Sequence, residues 1–115
     1  MKQLAEDFIA RFNLQGHTLG LIKRADLRVK ISCDSGTAML EIKNGQIVLK
    51  NHHDPNGYQI TGDYHTLKQL FEGAERLRIL ERKGQLTISA PLRTTLLLES
   101  IFFLTKAHEN LAKVI

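Results

Sequence analysis

The residues of this 115-residue chain that could do chemistry are scattered, and they form no recognisable catalytic set. The densest group is His52-His53-Asp54, which offers donor atoms for a metal ion but occupies adjacent positions of a predicted loop. Structural metal sites draw their ligands from spaced positions, so we interpret this group as a polar loop and expect no metal. The sequence also lacks a glycine-rich phosphate loop, a nucleophile elbow and a zinc-protease helix.

Neither the single cysteine nor the carboxylates indicate a catalytic site. Cys33 falls in the apolar row of a predicted strand, where a small core residue is expected rather than a reactive thiol. Glu41, Asp63 and Glu99 are predicted to face solvent or to cap a helix, whereas acid–base catalysis needs carboxylates tuned by burial. We therefore predict a protein that is not an enzyme and that needs no cofactor.

The charge and composition of the chain indicate which classes of molecule it could bind. The net charge of +4 and the pI near 9.4 favour anionic partners. Part of the charge is clustered at Arg76, Arg78, Arg82 and Lys83. Nucleic-acid binding is not expected, because aromatic residues make up only 6% of the chain and most fall on predicted core faces. One cysteine excludes an internal disulfide, and the sequence shows no secretion signal, so we expect a cytoplasmic protein.

The elements that position these residues follow from the spacing of apolar side chains. Alternation of apolar and polar residues predicts five strands, at 26–33, 38–42, 46–50, 58–61 and 85–90. Asn44-Gly45 predicts a two-residue hairpin between the second and third strands. Each strand is apolar on one face only, which predicts an α+β fold, a five-stranded sheet with helices covering one face, in a single domain spanning residues 1–115.

Helical spacing predicts three helices around the sheet. The first carries apolar residues from Leu4 to Phe12. A short helix is capped by Asp63 and ended by Gly73. Residues 17–25 and 74–83 fit more than one structure and are left unassigned.

The third helix begins after Pro91 and is too apolar for an ordinary surface position. It is also too short and too interrupted by charge to span a bilayer, which takes about 20 apolar residues. It must be buried on nearly all sides or offer spare apolar surface to a ligand or partner. Leu98 and Phe102 fall on or beside its polar stripe, which predicts an exposed interaction patch for a second copy or another protein.

Three segments carry a resemblance to a known family: Ile42-Lys43-Asn44-Gly45, the stretch from Asp54 to Asp63, and Gly84-Gln85-Leu86-Thr87-Ile88. Followed by an apolar helix, they resemble the sterol carrier protein type-two domain family. The resemblance implies a hydrophobic tunnel between sheet and helices for a fatty acid, fatty acyl-CoA or sterol-like molecule. Two departures, Ala90-Pro91 where the family usually has glycine and Ala38-Met39-Leu40 where it often has an aromatic residue, leave the ligand open.

We therefore predict non-enzymatic binding, and possible transfer, of such a lipid. The tunnel walls would be formed by Leu40, Ile42, Ile60, Leu70, Phe71, Leu86 and Ile88. The closing helix would contribute Leu96, Leu97, Ile101, Phe103 and Leu104. An anionic head group would meet Arg76, Arg78 or Arg82. The alternative is a protein-interaction or homodimerisation module that uses the apolar C-terminal helix.

Overall fold

All five predicted strands are present in the computed structural model, which describes residues 1–15, 19–50 and 57–105. The two unassigned stretches each contain a short helix, α2 and α4. His52-His53-Asp54 lies outside the described residues, as does the part of the third predicted helix after Thr105, which the apolar spacing continues to Leu111 and Ala112. The elements in chain order are α1 (Lys2–Gln15), α2 (Leu19–Ile22), β1 (Asp26–Cys33), β2 (Gly36–Lys43), β3 (Gln46–Lys50), β4 (Tyr58–Gly62), α3 (Tyr64–Glu72), α4 (Leu77–Arg82), β5 (Leu86–Ser89) and α5 (Leu92–Leu104).

The strands form one mixed sheet in the order β3-β2-β1-β4-β5. Only the β1–β4 pair is parallel among the described strands, and the remaining pairs are antiparallel. The predicted hairpin joins β2 to β3 through Asn44 (φ 56°) and Gly45 (φ 76°). Positive φ at both positions is the conformation that a two-residue hairpin with the right strand twist requires.

The helices cover one face of the sheet, and the core lies between these layers. Side chains such as Val29, Ile31 and Ile60 are fully buried on the covered face. Phe8 of α1, Phe71 of α3 and Phe102 of α5 meet in a ring cluster with centroid separations of 4.9–5.6 Å. Tilted and edge-on aromatic pairs contribute more to the stability of the fold than the burial of their surface alone. This cluster therefore holds α1, α3 and α5 together.

Helix α3 begins and ends where its sequence predicts. The Asp63 carboxylate accepts a hydrogen bond from the Thr66 backbone N–H at 2.7 Å. This bond holds the pKa of the Asp63 carboxyl below its ordinary value, because it favours the charged form. Gly73 ends the helix in the left-handed conformation (φ 72°), which glycine adopts without a steric penalty.

The face of the sheet opposite the helices is largely polar, and its apolar residues on the described strands are Val48, which is 41% exposed, and Met39. Met39 points to this face from β2 but is only 4% exposed. Its register partners are Lys30 on one side and Lys50 on the other, whose aliphatic stems can cover it while their ammonium groups stay in water. Beside it, Glu41 bridges Arg28 at 3.2 Å and Lys50 at 3.3 Å.

Helix α5 is rotated relative to the sequence prediction. Leu98 and Phe102 are each 1% exposed, so the prediction that they form an exposed interaction patch is wrong. The helix is apolar on most sides, so contacts with the rest of the core select the inward side. Thr95 can be buried on that side because its hydroxyl donates to the Pro91 carbonyl oxygen within the same helix.

Candidate functional site

The residues predicted to form the sheet and short-helix walls of a tunnel come together in the structure. Six of them are at most 4% exposed and belong to one core cluster: Leu40, Ile42, Ile60, Leu70, Phe71 and Leu86. Ile88 is half-buried and packs against this cluster. Leu70 and Phe71 come from α3 and the others come from the sheet, so together they form an apolar layer between the sheet and the helices. Their role as tunnel walls stays a prediction.

The predicted closing residues of α5 do not share one side of the helix. Ile101 is buried in the core, and Leu97 is half-buried against it. Phe103 is half-buried, whereas Leu96 and Leu104 are 42% and 43% exposed. Leu92 adds a third exposed leucine at 59%. The helix therefore has an apolar inward side and a largely apolar outward side, as its composition predicts.

A groove between α4 and α5 combines apolar surface with a cation. It has a volume of about 230 Å³ and is lined by Arg76, Glu99, Ser100, Phe103 and Leu104. The Arg76 guanidinium carbon lies 4.8 Å from the centroid of the Phe103 ring, within cation–π range. This groove is where a predicted head-group residue meets two predicted closing residues.

The other two predicted head-group arginines lie elsewhere on α4. The Arg78 backbone N–H donates to the Glu99 carboxylate, and its guanidinium lies 3.9 Å from Glu81. Arg82 is exposed in the last turn of the helix. The three arginines therefore do not converge on one point, and only Arg76 lines the groove.

Sequence reasoning missed Glu99 and Ser100 as groove residues. Glu99, predicted to face solvent or to cap a helix, is half-buried and accepts a hydrogen bond from the Arg78 backbone N–H in the first turn of α4. The sequence does contain one indication that Glu99 lines the groove: its four-residue spacing from Phe103 places both residues on one side of a helix. This spacing does not predict a groove by itself, because the sequence does not show that α4 packs beside this side of α5.

The described residues offer little support for a metal site or a reactive cysteine. No group of three or more histidine, cysteine, aspartate or glutamate side chains capable of holding a metal ion occurs among them. Cys33 is half-buried against the core, with its sulfur 3.0 Å from the Ser35 hydroxyl oxygen. Within the described part of the chain, no helix is both long and apolar enough to cross a membrane.

Solved structures that share this fold include several sterol carrier protein type-two domains. Sterol carrier protein 2 from Yarrowia lipolytica, in its apo form, is 22% identical with a TM-score of 0.58, covering 84% of each chain. The palmitated SCP2L2 protein of Aedes aegypti is 15% identical with a TM-score of 0.58, covering 88% of this chain and 93% of the other. A ubiquinone synthesis protein, UbiJ-SCP2, is 11% identical with a TM-score of 0.58, covering 84% and 96%.

The same fold also occurs as a small part of an enzyme. An alkylsulfatase from a Pseudomonas species matches with a TM-score of 0.62 at 14% identity, but the match spans only 14% of that chain. No protein-family profile matches the sequence, and no curated protein matches it either. The chain thus has the sterol carrier protein type-two fold, as its sequence pattern predicted.

Proposed function

We propose that this chain is a non-enzymatic lipid-binding domain for a long apolar chain that ends in an anionic group. A fatty acid or fatty acyl-CoA fits this description. The acyl chain would lie against the apolar layer under α5, and the anionic end would lie beside Arg76 in the groove between α4 and α5. A cytoplasmic location and the lack of nucleic-acid partners stay predictions.

The observation that carries the proposal is the pairing of Arg76 with the apolar walls of the groove. A cation held over the Phe103 ring, next to Leu104, is suited to meet an acid group at the end of an apolar chain. The fold supports the same conclusion, because its solved examples include a palmitated protein. Glu99 lines the same groove, so a charged ligand would have to approach on the Arg76 side.

Burial of the acyl chain would supply most of the affinity. Each CH₂ group removed from water contributes roughly 0.8 kcal/mol. An ion pair at an exposed arginine contributes at most about 1 kcal/mol. The ligand's chain length should therefore set its affinity, and its head group should set its orientation.

Native mass spectrometry of the purified protein, followed by solvent extraction, tests the proposal first. We expect mass in excess of the 13.0 kDa chain that resolves into a lipid, or uptake of added palmitate by the delipidated protein. Thermal unfolding should shift upward with added palmitate, because a ligand that binds only the folded state stabilises it. A bare mass and an unchanged unfolding temperature with palmitate, oleate and palmitoyl-CoA would rule the proposal out.

A second candidate function is association with another protein through the outward side of α5. Three exposed leucines on one helix favour it: Leu92, Leu96 and Leu104. These residues replace the predicted patch at Leu98 and Phe102, which is buried. Leu96→Glu should abolish such association and leave the fold intact, whereas it should not affect binding of a lipid beneath α5.

A further inference from the structure

Strand β3 is an edge of the sheet and borders an apolar groove. Its one neighbour among the described strands is β2. A groove of about 480 Å³ runs between this edge and α1, and it is lined by Glu6, Ile9, Ala10, Asn13, Ile47, Val48 and Leu49. Val48 is 41% exposed, so the edge carries accessible apolar surface as well as backbone groups.

The hairpin fixes which backbone groups of β3 point outward. In a two-residue hairpin, the pair that flanks the turn exchanges hydrogen bonds, and bonded pairs then alternate with non-bonded ones. Lys43 pairs with Gln46, so the bonded positions on β3 are Gln46, Val48 and Lys50. The N–H and C=O groups of Ile47 and Leu49 are therefore directed away from β2, toward the side of β3 on which no described strand lies.

We infer that a second copy of this chain pairs with β3 along this edge, extending the sheet across a two-fold axis at Val48. The β3 edge lies apart from the proposed lipid site between α4 and α5. In an antiparallel arrangement centred on Val48, Ile47 of each protomer lies opposite Leu49 of its partner. Both residues present outward backbone groups, so the two pairs together exchange four hydrogen bonds. Val48 meets its own symmetry mate on the helix-free face.

Among the antiparallel registers in which β3 could pair with its symmetry mate, this one pairs the largest number of residues. It pairs all five residues of β3 and places Lys50 opposite the neutral Gln46, so that no like charges face each other. A shift of two residues in one direction places Lys50 opposite Val48, and either shift shortens the pairing. The sequence Gln46-Ile47-Val48-Leu49-Lys50 is thus complementary to itself in a single register.

The position of α1 leaves room for the partner. Helix α1 packs on both β2 and β3 rather than on β3 alone. With strands about 4.8 Å apart, two symmetry-related α1 helices would lie roughly two strand spacings from each other. That separation, roughly 10 Å, is a normal helix-packing distance. The groove side of α1 presents the apolar residues Ile9 and Ala10 together with Glu6 and Asn13, so a partner would meet a mainly apolar surface there.

Self-crosslinking at Val48 tests this arrangement directly. Directly opposed non-bonded residues have Cα atoms about 4.5 Å apart, within disulfide range. In a Cys33→Ser background, which removes the only native cysteine, Val48→Cys should form a disulfide-linked dimer under mild oxidation. Thr61→Cys, which is exposed on the same face but in the interior strand β4, is the matched control and should stay monomeric on a denaturing gel.

Sedimentation of the unmodified chain gives the independent measurement. We expect a species of twice the 13.0 kDa chain mass. Val48→Lys should raise its dissociation constant by more than about tenfold, because like charges would meet on the axis, and Thr61→Lys should not. The inference is overturned if the native chain sediments as a monomer, or if Leu96→Glu dissociates the dimer while Val48→Lys does not, which would assign the interface to α5.

Discussion

The carboxylate of Glu99 in α5 accepts a hydrogen bond from the backbone N–H of Arg78 in α4, at 2.9 Å. Arg76, at the start of α4, makes no side-chain cap of its own, so Glu99 supplies from a neighbouring helix what a capping residue would supply locally. This bond joins the two walls of the proposed head-group groove.

Removal of this bond should loosen α4. Glu99→Ala should lower the free energy of unfolding by about 1–2 kcal/mol, since it removes a charge-assisted bond to a helix N-terminus. Glu99→Gln keeps an acceptor oxygen and should recover part of the loss. Urea unfolding measures both values. Equal stability of Glu99→Ala and the native chain would show that α4 does not depend on this bond.

The two sides of α5 should respond differently to truncation. Phe102→Ala should destabilise the protein by roughly 3–5 kcal/mol, because it leaves a cavity in the cluster with Phe8 and Phe71. Leu96→Ala on the outward side should change stability by no more than about 0.5 kcal/mol. Chemical denaturation distinguishes them. Similar losses at both positions would contradict an orientation of α5 with Phe102 inward and Leu96 outward.

Arg76 should orient the ligand in the proposed lipid site. Arg76→Glu should weaken palmitate binding by on the order of fivefold, because it replaces the cation beside the groove with an anion. Arg82→Glu makes the same change of net charge outside the groove and should leave affinity unaltered. Titration calorimetry measures both, and an uncharged long-chain alcohol provides the control. An equal effect of the two variants would assign the loss to net charge alone.

Ligand chain length should have a larger effect than the head group. Each added CH₂ should tighten binding about three- to fourfold until the apolar layer can take no more of the chain. Competition with saturated fatty acids of increasing length measures this slope. Affinity that does not depend on length would contradict binding by burial of the chain.

The Asp63 cap predicts a dependence of stability on pH. The pKa of this carboxyl is lowered in the folded state, so its contribution is present above its ordinary pKa of 3.8 and is lost as pH falls through the lower folded value. Asp63→Ala should therefore unfold at a lower temperature than the native chain at pH 7, and the gap should narrow below pH 4. Asp63→Asn keeps an acceptor without a titrating charge. A gap that stays constant down to pH 2 would contradict the prediction.

Local patterns were sufficient for most of the fold. Alternation in 26–33 defines a strand with one inward face, because a strand has only two faces and polar residues occupy one of them. Asn44-Gly45 tolerates positive φ and so determines the turn by itself. Asp63 and Gly73 similarly fix both ends of α3 through bonds to neighbouring residues.

The rotation of α5 and the existence of α4 were not determined locally. Apolar residues occur on most sides of α5, so burying Leu98 and Phe102 or burying Leu96 and Leu104 would satisfy the helix equally well by itself. Contacts with Phe8 and Phe71 decide between these orientations. Helix α4 has only six residues, too few for a periodic signal, and its first turn is completed by Glu99 from another helix.

The candidate site, like the fold, has some features that the sequence predicted and others that only the tertiary structure decided. The sequence alone supplied the residues that we propose hold a lipid, because apolar spacing and clustered arginines are visible in one dimension. Only the tertiary structure decided that Arg76, and not Arg78 or Arg82, lies beside Phe103. The physical reason is that hydrogen bonds and turns between near neighbours are fixed by the chain itself, whereas packing between distant helices depends on shapes that a sequence pattern does not specify.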